Sequence, residues 1–181
     1  QILVRDRAVN AAEDEAYVFT EADIFDNLVD PEGDDVVSIN FVNLPDQGML
    51  FYDGNPITLS QLADGSDPLL VMRTDVIAGK FTFFGDLNEF GSPYGVFKYF
   101  AYDEFGAVSW TIFSSSLSSE SVEMTINVAS VNDAPVAVDD AYEVSEEATL
   151  FSVPPGILEN DEDIDGDSLT AVLVTGPSQS A

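Results

Sequence analysis

Short segments of the chain alternate apolar with polar residues, which is the period of a β-strand whose two faces differ. Ser121 to Val128 is the clearest case. One face of this segment is apolar and consists of Val122, Met124, Ile126 and Val128. The opposite face carries Glu123, Thr125 and Asn127. The pattern predicts a strand that is buried on one face and in contact with water on the other.

Two other segments have a similar character. In Gly95 to Tyr102, alternation places Phe97, Tyr99 and Ala101 on one face of a predicted strand. The set on the other face is Lys98, Phe100 and Tyr102. Val36 to Leu44 is a further strand candidate. Glycine and proline punctuate the chain between these candidates, as expected of turns.

Helix signals are weak and short. Thr20 to Asp23 predicts a capped single turn, and Leu59 to Asp64 predicts another. No long segment has apolar residues at the 3.6-residue spacing of an amphipathic helix. Because short strands separated by turns are typical of sandwiches, we expect an all-β fold, an antiparallel Greek-key β-sandwich.

The sequence resembles itself after a shift of 133 positions, which brings Glu13 onto Glu146. The same ungapped shift matches further pairs, namely Asp14 with Glu147, Ile24 with Ile157, Asn27 with Asn160, Asp30 with Asp163, Glu32 with Asp165, Gly33 with Gly166 and Asp34 with Asp167. A single acidic cluster is usually a solvated turn. One that recurs at the same place in two modules suggests a ligand site.

The repeat divides the chain into four parts. We expect an N-terminal linker over residues 1–12, one complete β-sandwich module over 13–129, an inter-module linker over 130–139, and the start of a second module over 140–181. The last part is about a third of a repeat and is too short to close a sandwich of its own. It is then either disordered or pairs its open strand edges with another chain.

Composition adds a strong charge together with material for a core. The 181 residues include 34 acidic and five basic side chains, for a formal net charge of -29, and aromatic residues make up 11%. That aromatic content is too high for a disordered acidic tail. The charge repels nucleic acid and anionic membranes, so we expect no binding to nucleic acid. Divalent cations or a salty medium relieve the self-repulsion, and both are common outside cells.

The chain has no cysteine and no histidine. This composition excludes disulfides, thiolate zinc sites and cysteine nucleophiles, and it removes the commonest general base. Two carboxylates can in principle hydrolyse a glycoside, but the acids here lie in predicted joints and turns. We therefore expect that the protein is not an enzyme. No apolar run approaches the roughly 18 residues that span a bilayer, so we expect no membrane insertion.

The segment from Asn160 to Leu169, NDEDIDGDSL, is the strongest candidate for a binding site. Its aspartates alternate along the chain, at Asp161, Asp163, Asp165 and Asp167. Ca2+ takes about six to eight oxygen ligands, and alternate carboxylates beside a glycine bend can turn toward one centre. The spacing matches the start of an EF-hand loop but fails at its last ligand position, which is Val172. We expect an acidic β-loop site for Ca2+, with a solvated turn as the alternative.

Two stretches around this segment carry a family resemblance. They are VNDAPVAVDDAYEVSEEATL, beginning at Val131, and PGILENDEDIDGDSLTAVLVTGP, ending at Pro177. Both resemble the opening of the tandem cadherin-like, immunoglobulin-like repeats of very large bacterial surface adhesins, many of them of the secreted RTX type. The first module resembles a sister repeat through FTEADI, DPEGD, SINFVNLPDQGML, YDEFG and MTINVASVNDAP.

The resemblance implies a calcium-stiffened, cadherin-like β-sandwich, repeated many times in a long stalk at the bacterial cell surface or in the extracellular medium. Its partners would be neighbouring repeats of the same protein. The resemblance also implies that Ca2+ is shared at the joint between modules. The implied ligands are Asn132 and Asp133 of the linker, Asp163 and Asp165 of the next module, and a carboxylate of the preceding one such as Glu13 or Asp103. The earlier copy of the acidic segment adds Asp30, Glu32 and Asp34, with a solvated turn as the alternative.

Two other functions fit the sequence. An extracellular fibre can form if strands from other copies of the chain complete the second module. A glycan-binding surface can form if aromatic side chains are exposed together, and the candidates are Tyr94, Tyr99, Tyr102 and Trp110. At strand spacing, packing in the core or across strands is the better explanation of these aromatics.

Overall fold

The computed structural model describes residues 5–26, 28, 35–104 and 121–176. The chain divides into two compact units, Gln1–Val131 and Asn132–Ala181. In the described ranges, no helix is long and apolar enough to cross a membrane.

The first unit consists of short strands arranged in two sheets. Its described strands are β1 (Arg7–Ala12), β2 (Tyr17–Val18), β3 (Val36–Asn43), β4 (Met49–Tyr52), β5 (Asn55–Pro56), β6 (Val71–Met72), β7 (Phe81–Phe84), β8 (Gly91–Asp103) and β9 (Val122–Ala129). The larger sheet has the order β1-β9-β8-β3-β6, and the smaller one has the order β2-β7-β4-β5. The connections from β3 to β4 and from β7 to β8 cross between the sheets, as in a Greek key. The prediction of an all-β sandwich is confirmed.

One edge of the larger sheet departs from antiparallel order. Strand β1 runs parallel to β9, whereas the other described pairings are antiparallel. The sequence predicts a linker over residues 1–12, but residues 7–12 form β1. Val9 and Ala11 of this strand are buried in the core. Two buried side chains are too short a pattern to predict a strand, so only the pairing with β9 reveals it.

A cluster of aromatic rings fills the space between the sheets. Phe19 and Phe81 stack with their ring centroids 4.4 Å apart, and Phe97 meets both rings edge to face. None of the three side chains is exposed to solvent. Burying a side chain of this size contributes about 1.5–3 kcal/mol, so this cluster is a large part of the driving force for folding.

The two clearest strand predictions are confirmed. The apolar face predicted for β9 is buried, from Val122 to Val128. Its polar face is half-buried. Strand β8 lies where the sequence predicts it, and the structure shows that the face with Phe97, Tyr99 and Ala101 is the buried one, while the opposite face is half-buried.

Strand β3 is confirmed, but it is buried on both faces in its centre. Ser38 and Asn40 lie on the face opposite Ile39 and are nevertheless buried. The segment that follows β5 is hydrogen-bonded to the centre of this strand. Asn40 Nδ2 donates to the carbonyl oxygen of Leu69 at 2.6 Å, and the Ala63 N–H donates to the carbonyl oxygen of Phe41 at 2.7 Å.

Both predicted helical turns are present. Helix α1 (Glu21–Ile24) has Thr20 as its N-cap in a capping box with Asp23, and Leu59–Gln61 forms a 3-10 turn. A further helix, α2 (Arg73–Ile77), was not predicted because no side chain caps its start. Tertiary contacts anchor it instead, since the Arg73 guanidinium pairs with Glu21 at 2.6 Å.

The second unit is open, and in residues 132–176 no residue is buried. Its regular structure is one antiparallel bridge between Val136 and Glu162 and a 3-10 turn at Gly156–Leu158. The repeat explains why the unit is open. Among the described residues of the unit, strands β4 to β9 have no counterpart.

Equivalent positions in the two units show the consequence. Val172 and Val174 correspond to Ile39 and Phe41 of β3 under the 133-position shift. The β3 residues are fully buried, whereas Val172 is 78% exposed and Val174 is 91% exposed. The second unit therefore exposes residues whose counterparts in the first unit are buried strand residues of β3.

Candidate metal-binding acids

Glu13 is the more buried of two buried acids described in the first unit, and the other is Asp103. It directly follows β1, its side chain is 2% exposed, and its N–H donates to the carbonyl oxygen of Ala129 at 3.0 Å. Its Oε1 accepts a hydrogen bond from the N–H of Val131 at 2.7 Å. Its Oε2 is buried and has no hydrogen-bond partner among the described residues. A buried carboxylate oxygen without a partner is costly, so this atom is a candidate ligand of a cation.

Asp14 lies beside Glu13, with a carboxylate oxygen within 4.8 Å of one of Glu13. Its backbone is left-handed, with φ of 61°. Its Oδ1 accepts a hydrogen bond from the N–H of Asn88 at 2.9 Å, so the turn after β1 is tied to the segment before β8. The sequence did not single out Asp14 as a ligand. The signal was its match to Glu147 in the repeat.

Asp103 lies at the other end of the larger sheet. At the Glu13 end, Gly91 of β8 pairs with Val128 of β9. Strand β8 then runs away from that end and finishes at Asp103, which pairs with Val36 at the start of β3. Asp103 is 5% exposed. Because the two acids lie at opposite ends of one sheet, Glu13 and Asp103 cannot bind the same ion.

Asp30, Glu32 and Asp34 of the earlier acidic segment lie outside the described residues. Asp103 pairs with Val36, which follows this segment in sequence, and the N–H of Glu104 donates to the carbonyl oxygen of Asp35 at 3.2 Å.

In the second unit, the acidic segment forms a tight turn around Asp163. Its Oδ1 accepts hydrogen bonds from the N–H groups of Asp165 at 3.1 Å and Asp167 at 3.2 Å. Gly166 stands in the turn with φ of 76°, a conformation that glycine adopts without strain. The turn places successive carboxylates around one bend. It also satisfies Asp163 Oδ1 locally, which is the property of a solvated turn.

Two further aspartates of this segment bind backbone N–H groups of the predicted linker. Asp165 Oδ2 accepts a hydrogen bond from the N–H of Asp133 at 2.6 Å, and Asp161 Oδ1 accepts one from the N–H of Val138 at 2.8 Å. The structure therefore brings the backbone of Asp133 together with the acidic turn. Asn132 and Asp167 are exposed. A groove of about 570 Å³ within this unit is lined in part by Asn132, Asp133, Asp161, Asp163 and Asp167.

The candidate glycan-binding aromatics are mainly core residues. Tyr94 is 4% exposed and donates its hydroxyl to Asp86 Oδ2 at 3.2 Å. Tyr99 is fully buried and donates to the carbonyl oxygen of Ile24 at 3.0 Å, and its burial raises the pKa of its hydroxyl. Tyr102 is half-buried, and Trp110 lies outside the described residues. Core packing is confirmed for Tyr94 and Tyr99.

Several basic side chains are engaged by acids of the first unit. Arg73 pairs with Glu21, Lys80 with Asp75 at 2.8 Å, and Lys98 with Glu123 at 3.1 Å. The hydrogen bond from Lys80 is the main cause that lowers the pKa of Asp75. These pairs leave few cations to neutralise the other acids, which strengthens the case for a metal ion.

Comparison with known proteins gives one match. Residues 132–181 match the family model described as a bacterial Ig domain. No curated protein and no solved structure matches the chain. The match covers the second unit and supports an Ig-like repeat there. Bacterial Ig domains are often on the cell surface and are typically non-enzymatic.

Proposed function

We propose that the chain is a calcium-stiffened spacer, part of a large repetitive bacterial surface adhesin or biofilm protein. The observation that carries the proposal is the buried Oε2 of Glu13, which has no partner among the described residues. It lies where β9 leaves the sandwich, which is the position of a joint to the next module. Its function would be length and stiffness rather than catalysis.

Ca2+ suits the oxygen donors of each unit. In the first unit, Glu13 and Asp14 offer carboxylate oxygens close together at the end of β1. In the second unit, the turn at Asp163 and Asp165 offers further carboxylates. Hard oxygen donors of this kind are the ligands that Ca2+ prefers, and no histidine or cysteine favours a softer metal. The proposal that the ions stiffen the joint rests on the resemblance to cadherin-like repeats.

The energetic effect would be large. Extracellular calcium sites reach a Kd on the order of 10⁻⁴ M. A free Ca2+ concentration about one hundred times higher stabilises the bound state by about 2.7 kcal/mol per site. Folded domains have a total stability of about 5–15 kcal/mol, so one site contributes a substantial share.

Calorimetric titration of the full chain with Ca2+, after removal of metal by EDTA, tests the proposal. We expect heat of binding with Ca2+ and much weaker binding with Mg2+ at matched ionic strength. The double variant Asp163→Asn with Asp165→Asn should lose affinity. A matched control is Asp64→Asn with Asp67→Asn, which removes the same charge from exposed positions of the first unit. Absence of binding, or equal losses in the two variants, would contradict the proposal.

A second candidate is a subunit of an extracellular fibre. The exposure of Val172 and Val174 favours it, because strands of another copy could cover them by β-strand addition. Sedimentation velocity over a range of concentrations tests this alternative. Higher-order assemblies that disappear when both valines become serine would support it, and a monomer at every concentration would exclude it.

A further inference from the structure

The smaller sheet has an outward face that the register of its strands defines. Leu50 pairs with Phe83, and both side chains are buried between the sheets. Because side chains alternate between the two faces of a strand, the residues on either side of this pair point away from the core. The outward residues of the described strands are Val18 in β2, Met49 and Phe51 in β4, Pro56 in β5, and Thr82 and Phe84 in β7. None of these residues is charged, and all except Thr82 are apolar.

These outward residues form a contiguous apolar surface. Met49 and Phe84 are direct neighbours across the strands, and Thr82 lies between Val18 and Phe51 in the adjacent row. Val18 is 47% exposed, Met49 is 49% exposed and Phe84 is 37% exposed. Contact between large apolar side chains and water is unfavourable, so a contiguous surface of this kind is typical of an interaction site.

The outward face of the larger sheet has a different character. It carries the ion pair between Lys98 and Glu123 and the hydrogen bond between Asn127 and Asn10. Water solvates polar and charged groups of this kind well, so such a face needs no partner. Of the two described sheets, the smaller one therefore presents the face that gains by being covered.

The charge of the chain indicates which partner suits this face. Two copies, each with a formal net charge of -29, repel each other through surfaces that carry carboxylates. The outward face of the smaller sheet has no carboxylate, so it lets two copies approach with little local repulsion. A cationic partner would find no opposite charge on it. A glycan or a nucleic acid would find few hydrogen-bonding groups, because Thr82 alone among the outward residues has a polar side chain.

The edges of the smaller sheet are poorly suited to association. Its edge strands are β2 and β5, and each has two residues. Short edge strands offer little backbone for the addition of another strand, and Pro56 of β5 has no N–H group to donate. Contact through the face of the sheet is therefore favoured over contact through its edges.

We propose that the outward face of the smaller sheet is a self-association surface that packs against the same face of a second copy. Sheets that pack face to face lie about 10 Å apart, and their side chains interdigitate. A contact between identical faces has a two-fold axis, so the face need only be complementary to itself. This inference goes beyond the proposed function, and it requires no metal ion.

Sedimentation equilibrium of the full chain in EDTA tests the proposal. We expect a monomer–dimer equilibrium that is stronger in about 1 M than in about 0.1 M NaCl, because salt screens the repulsion between two acidic copies. A monomer at every concentration would overturn the proposal. A dimer that salt weakens would also overturn it, because such a dimer is held by charges and not by an apolar face.

A matched pair of variants identifies the face. Thr82→Asp places a carboxylate on the outward face of the smaller sheet, and Thr125→Asp places one on the outward face of the larger sheet. Both threonines are half-buried and lie within strands. We expect Thr82→Asp to weaken the dimer by about tenfold, whereas Thr125→Asp should have little effect. Equal losses in the two variants would overturn the assignment to the smaller sheet.

A variant of opposite charge distinguishes repulsion from damage to the fold. Thr82→Lys alone should also weaken the dimer. An equimolar mixture of Thr82→Asp and Thr82→Lys should restore association, because the two-fold axis brings unlike charges onto facing surfaces. A mixture that remains monomeric would contradict a contact between identical faces.

The valine variant of the fibre test separates the two modes of association. Replacement of Val172 and Val174 by serine should leave the dimer unchanged, because both residues belong to the second unit. If that variant is monomeric, the second unit carries the association and the face of the smaller sheet does not.

Discussion

Asp14 and Glu147 stand 133 positions apart and share a left-handed backbone, with φ of 61° and 63°. Residues other than glycine adopt this conformation at a cost, so its recurrence at equivalent positions is informative. Each of the two follows a glutamate, Glu13 or Glu146. The repeat read from the sequence thus extends to the backbone. We infer that the second unit contains the same turn that follows β1 in the first unit.

Replacement of the buried Glu13 by glutamine is predicted to have opposite effects on stability in EDTA and in Ca2+. In EDTA, Glu13→Gln should raise the free energy of unfolding by about 1 kcal/mol, because a neutral amide is less costly to bury than a carboxylate. The new amide can donate to the carboxylate of Asp14. In Ca2+, the variant should be less stable than the native protein, because the metal loses a charged ligand. Thermal melts in the two media give both comparisons.

Glu15→Gln is the control for this prediction. It removes the same charge from an exposed position two residues away. We expect its effect to be small and alike in EDTA and in Ca2+. A Glu13→Gln variant that behaves like the control would remove Glu13 from the set of calcium ligands.

Gly166 supplies a prediction about the acidic turn. Its φ of 76° is unfavourable for alanine, while a Cβ at this position would meet no atom within 4 Å. Gly166→Ala should therefore destabilise the conformation of this turn by about 1–2 kcal/mol through the backbone alone. We expect it to weaken Ca2+ binding by about tenfold. Calorimetric titration measures the change in affinity.

Gly54 gives the matched control for that variant. It has the same φ and the same open surroundings, but it lies in the turn between β4 and β5. Gly54→Ala should lower the stability of the first unit and leave the affinity for Ca2+ unchanged. If both variants bind Ca2+ like the native protein, the turn at Gly166 does not form the site.

Tyr52 predicts a dependence of stability on pH. Burial, followed by its hydrogen bond to Asp75, raises its pKa from 10.0 to about 12. The neutral phenol is thus favoured in the folded state. Its contribution to stability is complete below pH 10 and is lost as the pH rises to about 12.

Comparison with Tyr52→Phe isolates this contribution. The native protein should lose stability relative to the variant between about pH 10 and about pH 12. Lys80 pairs with Asp75 in both proteins, so its own titration affects the two about equally. Urea unfolding across this pH range provides the measurement. A difference between the two proteins that stays constant through the range would contradict the prediction.

Phe81 tests the energetic weight of the aromatic cluster. It is fully buried, stacks on Phe19 and meets Phe97 edge to face. Phe81→Ala should lower the free energy of unfolding by about 3–5 kcal/mol. Phe84 lies on the same strand and is 37% exposed, so Phe84→Ala should cost much less. Urea midpoints of similar size in the two variants would show that the core does not depend on this cluster.

The strands predicted most clearly are those in which only one face is buried. β8 and β9 each have one buried face, so their alternation is visible in the sequence. The burial of Asn40 was not predictable, because it depends on Leu69, which lies far along the chain. The same holds for helix α2, which the contact between Arg73 and Glu21 anchors. The local sequence pattern predicts the two faces of a strand. It does not predict which of those faces a distant segment of the chain will cover.

The candidate site likewise has features that the sequence predicts and features that it does not. Alternating aspartates and a glycine predict the turn at Asp163, because the hydrogen bonds of such a turn are local. The opposite positions of Glu13 and Asp103 follow instead from the direction of β8, which no local pattern encodes. The orphaned Oε2 of Glu13 is likewise a property of tertiary packing.

The parallel pairing of β1 with β9 determines how much the first unit would lengthen on unfolding. Roughly 120 residues separate Arg7 from Ala129, yet the folded path between them advances by little more than one strand. The eight residues of β9 span about 26 Å, whereas the whole segment drawn out would reach about 400 Å. A module that unfolds under force would thus add a length of extended chain many times its folded length. An array of such modules would lengthen in steps under tension, as one module after another unfolds, before its covalent backbone is strained.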